Sequence, residues 1–197
     1  MFVEIINRIE HKPILMKKIT VIFLSALVLL AGVSCKKLVS AIFQGMDVNV
    51  PQVQVTIPTV IAVTPNEIAL GSFSFHFNLD SIIKANTAGV FGVNTVSSIK
   101  VKQINISITN ADQLNNLSNF ESARITVQSN IGSNPAELFS GSFSDSYATS
   151  FTATPANSPD LLPYLKGSDV TYNVYGKMRR ITTKPLNMSV AVTLRVN

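Results

Sequence analysis

The stretch GSFSFHFNL, residues 71–79, sets Phe73, Phe75 and Phe77 on one side and Ser72, Ser74 and His76 on the other. Successive side chains of extended backbone point to opposite faces, so a period of two marks a strand with one buried face. Three phenylalanines on that face predict a large apolar contact, on the order of 150 Å² or more per ring. A single strand has nothing to cover such a face, so the neighbouring segments decide the fold.

Those segments repeat the pattern. In VNVPQVQVTIPTVIAV (48–63), Val53, Val55 and Ile57 alternate with Gln52, Gln54 and Thr56. Pro51 and Pro58 have no N–H for a ladder, which makes this an edge strand or an extended linker. VSSIKVKQINISITN (96–110) carries Ile99 and Val101, then Ile104, Ile106 and Ile108. The three-residue step between Val101 and Ile104 flips the phase. Either a β-bulge near Lys102–Gln103 restores it or the strand passes from one sheet to another. ESARITVQS (121–129) alternates through Ala123, Ile125 and Val127, and NIGSNP (130–135) reads as a turn. ELFSGSFSD (137–145) and YATSFTAT (147–154) read as a pair of short strands. DVTYNVYGKMRR (169–180) and PLNMSVAVTLRVN (185–197) read as a closing hairpin, the last with Met188, Val190, Val192, Leu194 and Val196 in phase.

Helical signals are few. LDSIIKANTAG (79–89) predicts a short helix with Asp80 as N-cap and Gly89 as stop. NSPDLLPYLKG (157–167) predicts a second short helix or turn, begun at Ser158–Pro159 and ended at Gly167. ADQLNNLSNF (111–120) is a polar connection with one helical turn that points Leu114 and Leu117 inward. No strand–helix–strand rhythm appears. The expectation is an all-β fold, an antiparallel β-sandwich of about 7–9 strands with one or two short helices, with an open barrel as the alternative. A membrane-spanning barrel needs strands of ~9–11 residues and an aromatic girdle, which only two or three segments approach.

Upstream of this body, Lys17 and Lys18 precede the apolar run ITVIFLSALVLLA (19–31), which leads through Gly32 and Ser34 to Cys35, the sole cysteine. The run is short of the ~20 residues that span a bilayer and suits the apolar region of a secretory signal. LLAGVSC (29–35) resembles the lipobox of bacterial lipoproteins. The resemblance implies cleavage before Cys35 and a diacylglycerol on its thiol. It also implies a place in the bacterial cell envelope, and at the outer membrane because no Asp follows Cys35. Glu4 and Glu10 are foreign to a signal start, which points either to Met16 as the true first residue or to an extension discarded with the leader. The organisation expected is a signal peptide over 1–34, a lipidated tether over 35–50 and one domain over 51–197. Lys36 and Lys37 would meet anionic headgroups, at roughly 1 kcal/mol each. LVSAIF (38–43) is either one helical turn on the membrane or a stretch packed on the domain.

Cleavage there leaves 163 residues with 12 basic and 9 acidic side chains, a net charge near +3 rather than the +5 of the whole chain. A nucleic-acid partner loses its main support on that count. With one cysteine no intramolecular disulfide forms, so the core alone must hold the fold.

Chemistry is sparse. His76 is the sole histidine after the leader, and it lies opposite the phenylalanine face. Any Ser–His–Asp relay would need it, yet no G-x-S-x-G elbow surrounds a serine. The carboxylates are spread singly, with Asp160 near Tyr164 the one pairing suited to a sugar. No cofactor, metal or calcium-loop pattern is present. Tyr175, Lys177 and Arg179 share one face of a strand, Tyr172 facing the other way, and form the candidate contact for an acidic polymer or protein. The reading is a non-enzymatic, lipid-anchored envelope module that binds a protein or polysaccharide. Its alternatives are an assembly subunit exchanging strand 48–63, a carrier of apolar ligands, and a hydrolase built on His76.

Overall fold

Period-two burial runs through the described residues, 43–131 and 134–197, of the computed structural model. The leader, the tether as far as residue 42, and with them Cys35, Lys36 and Lys37, lie outside the described residues. Nine strands follow one another: β1 (Met46–Asn49), β2 (Val53–Ile57), β3 (Ile68–His76), β4 (Ile99–Ile108), β5 (Phe120–Ser129), β6 (Ala136–Ser142), β7 (Ser150–Ala153), β8 (Asp169–Met178) and β9 (Leu186–Val196). Helix α1 (Leu79–Asn86) stands between β3 and β4, and the short α2 (Leu162–Leu165) between β7 and β8.

The strands form two antiparallel sheets. The first runs β1-β9-β4-β7, with β2 also on β9; the second runs β3-β8-β5-β6. The protein is an all-β sandwich, as the alternation predicts. Facing sides interdigitate through fully buried Ile57, Ile99, Ile104, Ile106, Phe120, Ile125 and Met178. Each such side chain contributes roughly 1.5–3 kcal/mol by leaving water.

The phase flip in β4 is a bulge. Its register against β9 shifts between Val101 and Gln103, and Ile99, Val101, Ile104, Ile106 and Ile108 all reach the core. A second irregularity joins β1 to β2. Asn49 lies opposite Thr193 and Val53 opposite Val190, so one extra residue is taken up around Pro51, while Val50 donates its N–H to Val192. The 46–57 segment is therefore an interrupted edge strand, and the domain begins before residue 51. Val48, Val50, Val53, Val55 and Ile57 are buried within it. The segment pairs with β9 in the sheet of its own chain.

Two expected pairings are corrected. β6 lies on β5 while β7 lies on β4, so they occupy opposite sheets. β8 and β9 likewise sit at the centres of different sheets and form no hairpin. Each buries one face fully and is flanked on both sides, and alternation says nothing about which sheet supplies the flanks. Only β1–β2 and β5–β6 are consecutive strands in one sheet. The phenylalanine face is also uneven. Phe77 is buried, Phe75 is partly covered against Tyr172, and Phe73 remains 37% exposed because β3 is an edge.

Helix α1 is capped by Asn78, whose Oδ1 accepts the Ser81 N–H at 2.9 Å, rather than by Asp80. Asp80 sits in the first turn, pairs with Lys84 at 2.6 Å and accepts the Val93 N–H at 2.9 Å. Gly89 (φ +78°) ends the helix, its N–H donating to Lys84 O at 2.8 Å. Ahead of α2, Ser158, expected to start the helix with Pro159, does another job together with Asp160. Ser158 Oγ accepts the Val101 N–H and Asp160 Oδ1 the Ile99 N–H, both at 2.8 Å, capping the β4 edge beyond the end of β7.

The register defines two ends. The chain enters at β1 beside the C-terminus of β9; α1, α2 and the 154–168 connection gather at this root pole. Connections 58–67, 109–119, 143–149 and 179–185 gather at the other, the loop pole. Among the described residues no helix is long and apolar enough to cross a membrane.

Candidate functional site: the loop pole

Loops normally run over the surface with few fixed contacts. Buried amides tie 109–119 to 179–185, and backbone and hydroxyl bonds fasten 58–67 and 143–149 to these two. Asn115, Asn116 and Asn119 are almost fully buried, a rare fate for asparagine unless it is hydrogen-bonded. Asn119 Oδ1 accepts the Asn116 N–H at 2.8 Å; its Nδ2 donates to Leu114 O and Ile181 O at 3.0 and 2.8 Å. Asn115 Nδ2 donates to Asp112 and to Thr183 Oγ1, both at 2.8 Å, and its Oδ1 accepts the Thr183 N–H at 2.8 Å. Asn116 Oδ1 accepts from Ser118 N at 3.0 Å and so caps the 3₁₀ turn 117–119. Val60 and Thr182 exchange bonds at 2.8 and 2.9 Å, and Leu117 donates to Ala148 O at 2.9 Å.

Arg179 completes the knot. Its Nη1 donates to Ser118 O and Phe120 O at 3.1 Å and to Ser144 O at 3.4 Å, and its Nη2 to Phe143 O at 2.9 Å. One planar guanidinium thus satisfies carbonyls from two loops. Arg180 bonds Ser118 and pairs with Asp145. Lys184 pairs with Asp112 at 2.7 Å. Above this polar foundation the tips are apolar. Ile61 is 86% exposed and Leu114 68%, and Val63, Tyr147 and Ile181 are exposed by half or more. Five large apolar side chains in water on four fastened loops form the feature of the surface that most needs an explanation.

Lys184, with help from the Asn115 amide and the Leu114 N–H, holds the Asp112 carboxyl down at about 2. Its folded-state pKa lies below the unfolded value near 3.9, so the stabilisation is whole above about pH 4 and is lost as pH falls toward 2. Thermal melts of wild type and Asp112→Asn should differ at pH 7 and converge between pH 4 and 2. A difference that persists at pH 2 would show that the carboxylate is not the cause.

The contact residues predicted from sequence are placed as follows. Tyr175 and Lys177 lie on the outer face of β8, opposite buried Tyr172, whose phenol burial pushes up in pKa. The Arg124 guanidinium lies 4.2 Å from the Tyr175 ring centroid and forks onto Glu67 through Nε and Nη2 at 3.0 and 2.6 Å. Lys177 pairs with Glu121 at 2.8 Å. Arg179 is turned into the carbonyl knot. Tyr175 and Lys177 share the outer face of β8 and Arg179 follows its end, and each already has an internal partner.

His76 Nδ1 lies 3.3 Å from Asp169 Oδ1, at the surface of the root pole. Ser168 Oγ bonds Asp169 at 3.2 Å, so the carboxylate stands between hydroxyl and imidazole. A nucleophilic relay needs the imidazole in the middle. Asp160, the carboxylate near Tyr164, is occupied with the backbone N–H groups of Ile99 and Leu162. Among the described residues, no three His, Cys, Asp or Glu gather as a metal site.

The sequence reading missed the loop pole. Leu114 was expected inward and is exposed, while Leu117 does point in. The available signal was the density of Asn between 110 and 119 together with Ile or Val in loops rich in Pro and Thr.

The fold and this pole define a two-sheet antiparallel β-sandwich with a rigid, apolar-tipped set of loops. Neither a protein-family model nor a curated protein matches the chain. A solved structure of infectious bursal disease virus, Gx strain, is similar at 8% identity over 78% of this chain and 41% of that one, with a TM-score of 0.22. This chain thus spans well under half of that one's length, and a likeness at that score carries no argument.

Proposed function

We propose that this protein is a lipid-anchored module of the bacterial cell envelope that binds a partner, without catalysis, through its loop pole. The observation that carries the reading is the polarity of the sandwich. Residue 43, where the chain enters the domain, is at the root pole, while the exposed tips Ile61, Leu114, Tyr147 and Ile181 are at the other. About eight residues separate Cys35 from that point, a reach of at most ~28 Å. An anchor on Cys35 then holds the root pole near the bilayer and leaves the loop pole facing away. The knot beneath the tips keeps them in one arrangement before contact, which lowers the ordering cost of binding. Tyr175, Lys177 and Arg179 support this pole from within and from its flank instead of forming the contact themselves.

Two measurements test the halves separately. Labelled fatty acid should enter the wild type and not Cys35→Ser; equal labelling removes the anchor. A photocrosslinker at position 61 or 181 should capture one defined envelope partner. The same probe at position 90, on exposed Val90 of the root pole, should not. Equal capture from both poles removes the binding assignment.

A further inference from the structure

The two long sides of the sandwich are closed differently. On one, β2 meets β3 so closely that a Cβ on Gly71 would lie 2.6 Å from Val55 Cγ1. On the other, β7 stops after four residues and leaves a groove of about 400 Å³ beside β6. Leu138, Phe139, Phe151, Ala153, Pro155 and Pro159 supply its apolar lining.

The main chain on the two banks is not equally satisfied. On the β4 bank, Ser158 and Asp160 cap the exposed N–H groups of Val101 and Ile99. β6 is the last strand of its sheet and has no such caps among the described residues. Phe143 donates to Glu121 O, and the register pairs Gly141 with Ala123 and Phe139 with Ile125. Bonded pairs alternate along an antiparallel ladder, so Ser140 and Ser142 turn their N–H and C=O groups outward. No described residue bonds them there. A bulge at Leu138 sends both Leu138 and Phe139 inward, which leaves 140–142 as the regular length of edge. Among the described residues Glu137 is the one charged side chain lining the groove and is in no ion pair, the nearby Arg124 guanidinium being forked onto Glu67.

We propose that this groove binds an extended peptide segment, added as a strand to β6 at Ser140–Ser142. Its apolar side chains lie toward Phe139 and Phe151, and a lysine or arginine meets Glu137. Main-chain bonds then give affinity and the groove gives selectivity. The site is separate from the loop pole, and it stands or falls without the lipid anchor.

Three blocked seven-residue peptides, alternating Val and Thr with Lys, Gln or Glu at the centre, serve as probes against the full chain. The Lys peptide is expected to bind at least tenfold more tightly than the Glu peptide and to slow hydrogen exchange at the Ser140 and Ser142 amides. Glu137→Lys should invert the order of the three. Ser140→Pro, which removes an outward N–H while sparing the β5 ladder, should weaken all three about tenfold. Absence of binding up to about 1 mM, equal affinity for all three, or binding without protection of those amides overturns the proposal. Should Ser140→Pro not fold, the Glu137→Lys inversion at an exposed side chain decides alone.

Discussion

Deletion of residues 46–57 is expected to abolish the cooperative unfolding transition of the domain. Five buried Val and Ile side chains leave with the segment, at roughly 1.5–3 kcal/mol each. Their sum is comparable with the whole net stability of a typical domain, about 5–15 kcal/mol. The deletion also bares the β9 edge along both Met46–Asn49 and Val53–Ile57, each now in register with it. Circular dichroism melts of the full chain and the deletion check this. A deletion variant that still melts cooperatively would mean that 46–57 is a detachable strand, as an assembly subunit requires.

Arg179→Ala is expected to cost about 3 kcal/mol, lowering the melting temperature by roughly 6–12 °C. The substitution strips the guanidinium from the carbonyls of Phe120 and Phe143 and leaves Ser118 O only the longer bond from Arg180 Nη1 at 3.3 Å, and all three residues are buried. Arg179→Lys should recover little, because a point charge with three donors cannot span carbonyls set out for a planar fork. Lys177→Ala is the contrast. Its pair with Glu121 is half in solvent, and such pairs are worth about 0–1 kcal/mol. If Arg179→Ala melts like the wild type, the guanidinium is free for a partner, and the sequence-based assignment of Arg179 as a contact residue is restored. Hydrogen exchange should show the loss concentrated in 111–119 and 143–149, the loops Arg179 joins.

The alternation of residues determined by itself that this is a β protein, which side of each strand is buried, and where β4 is irregular. These are local consequences of the pleat: Ile104, Ile106 and Ile108 cannot share a face with Ile99 and Val101 unless one residue is looped out. Proline marked 48–63 as an edge strand or a linker for the same local reason, and pairing with β9 decided for the edge. Strand partners were not legible. Met188 to Val196 in β9 and Val170 to Met178 in β8 have the same alternating pattern, and nothing in either states that β4 and β5 will flank them in separate sheets. The partly covered Phe73 follows from the edge position of β3, which is a property of the sheet and not of the stretch GSFSFHFNL.

The loop pole is the clearest division between the two levels. Asn115, Asn116 and Asn119 lie in a stretch that reads only as a polar connection, because sequence gives an amide no partner far along the chain. Folding brings Ile181 O and Thr183 to within hydrogen-bond distance of them, and burial then becomes favourable. Arg179 changed role for the same reason. Its charge and face were evident in the chain, but the carbonyls that hold it come from Ser118, Phe120 and Phe143, and only the lateral order β8-β5-β6 within one sheet sets those three around one side chain.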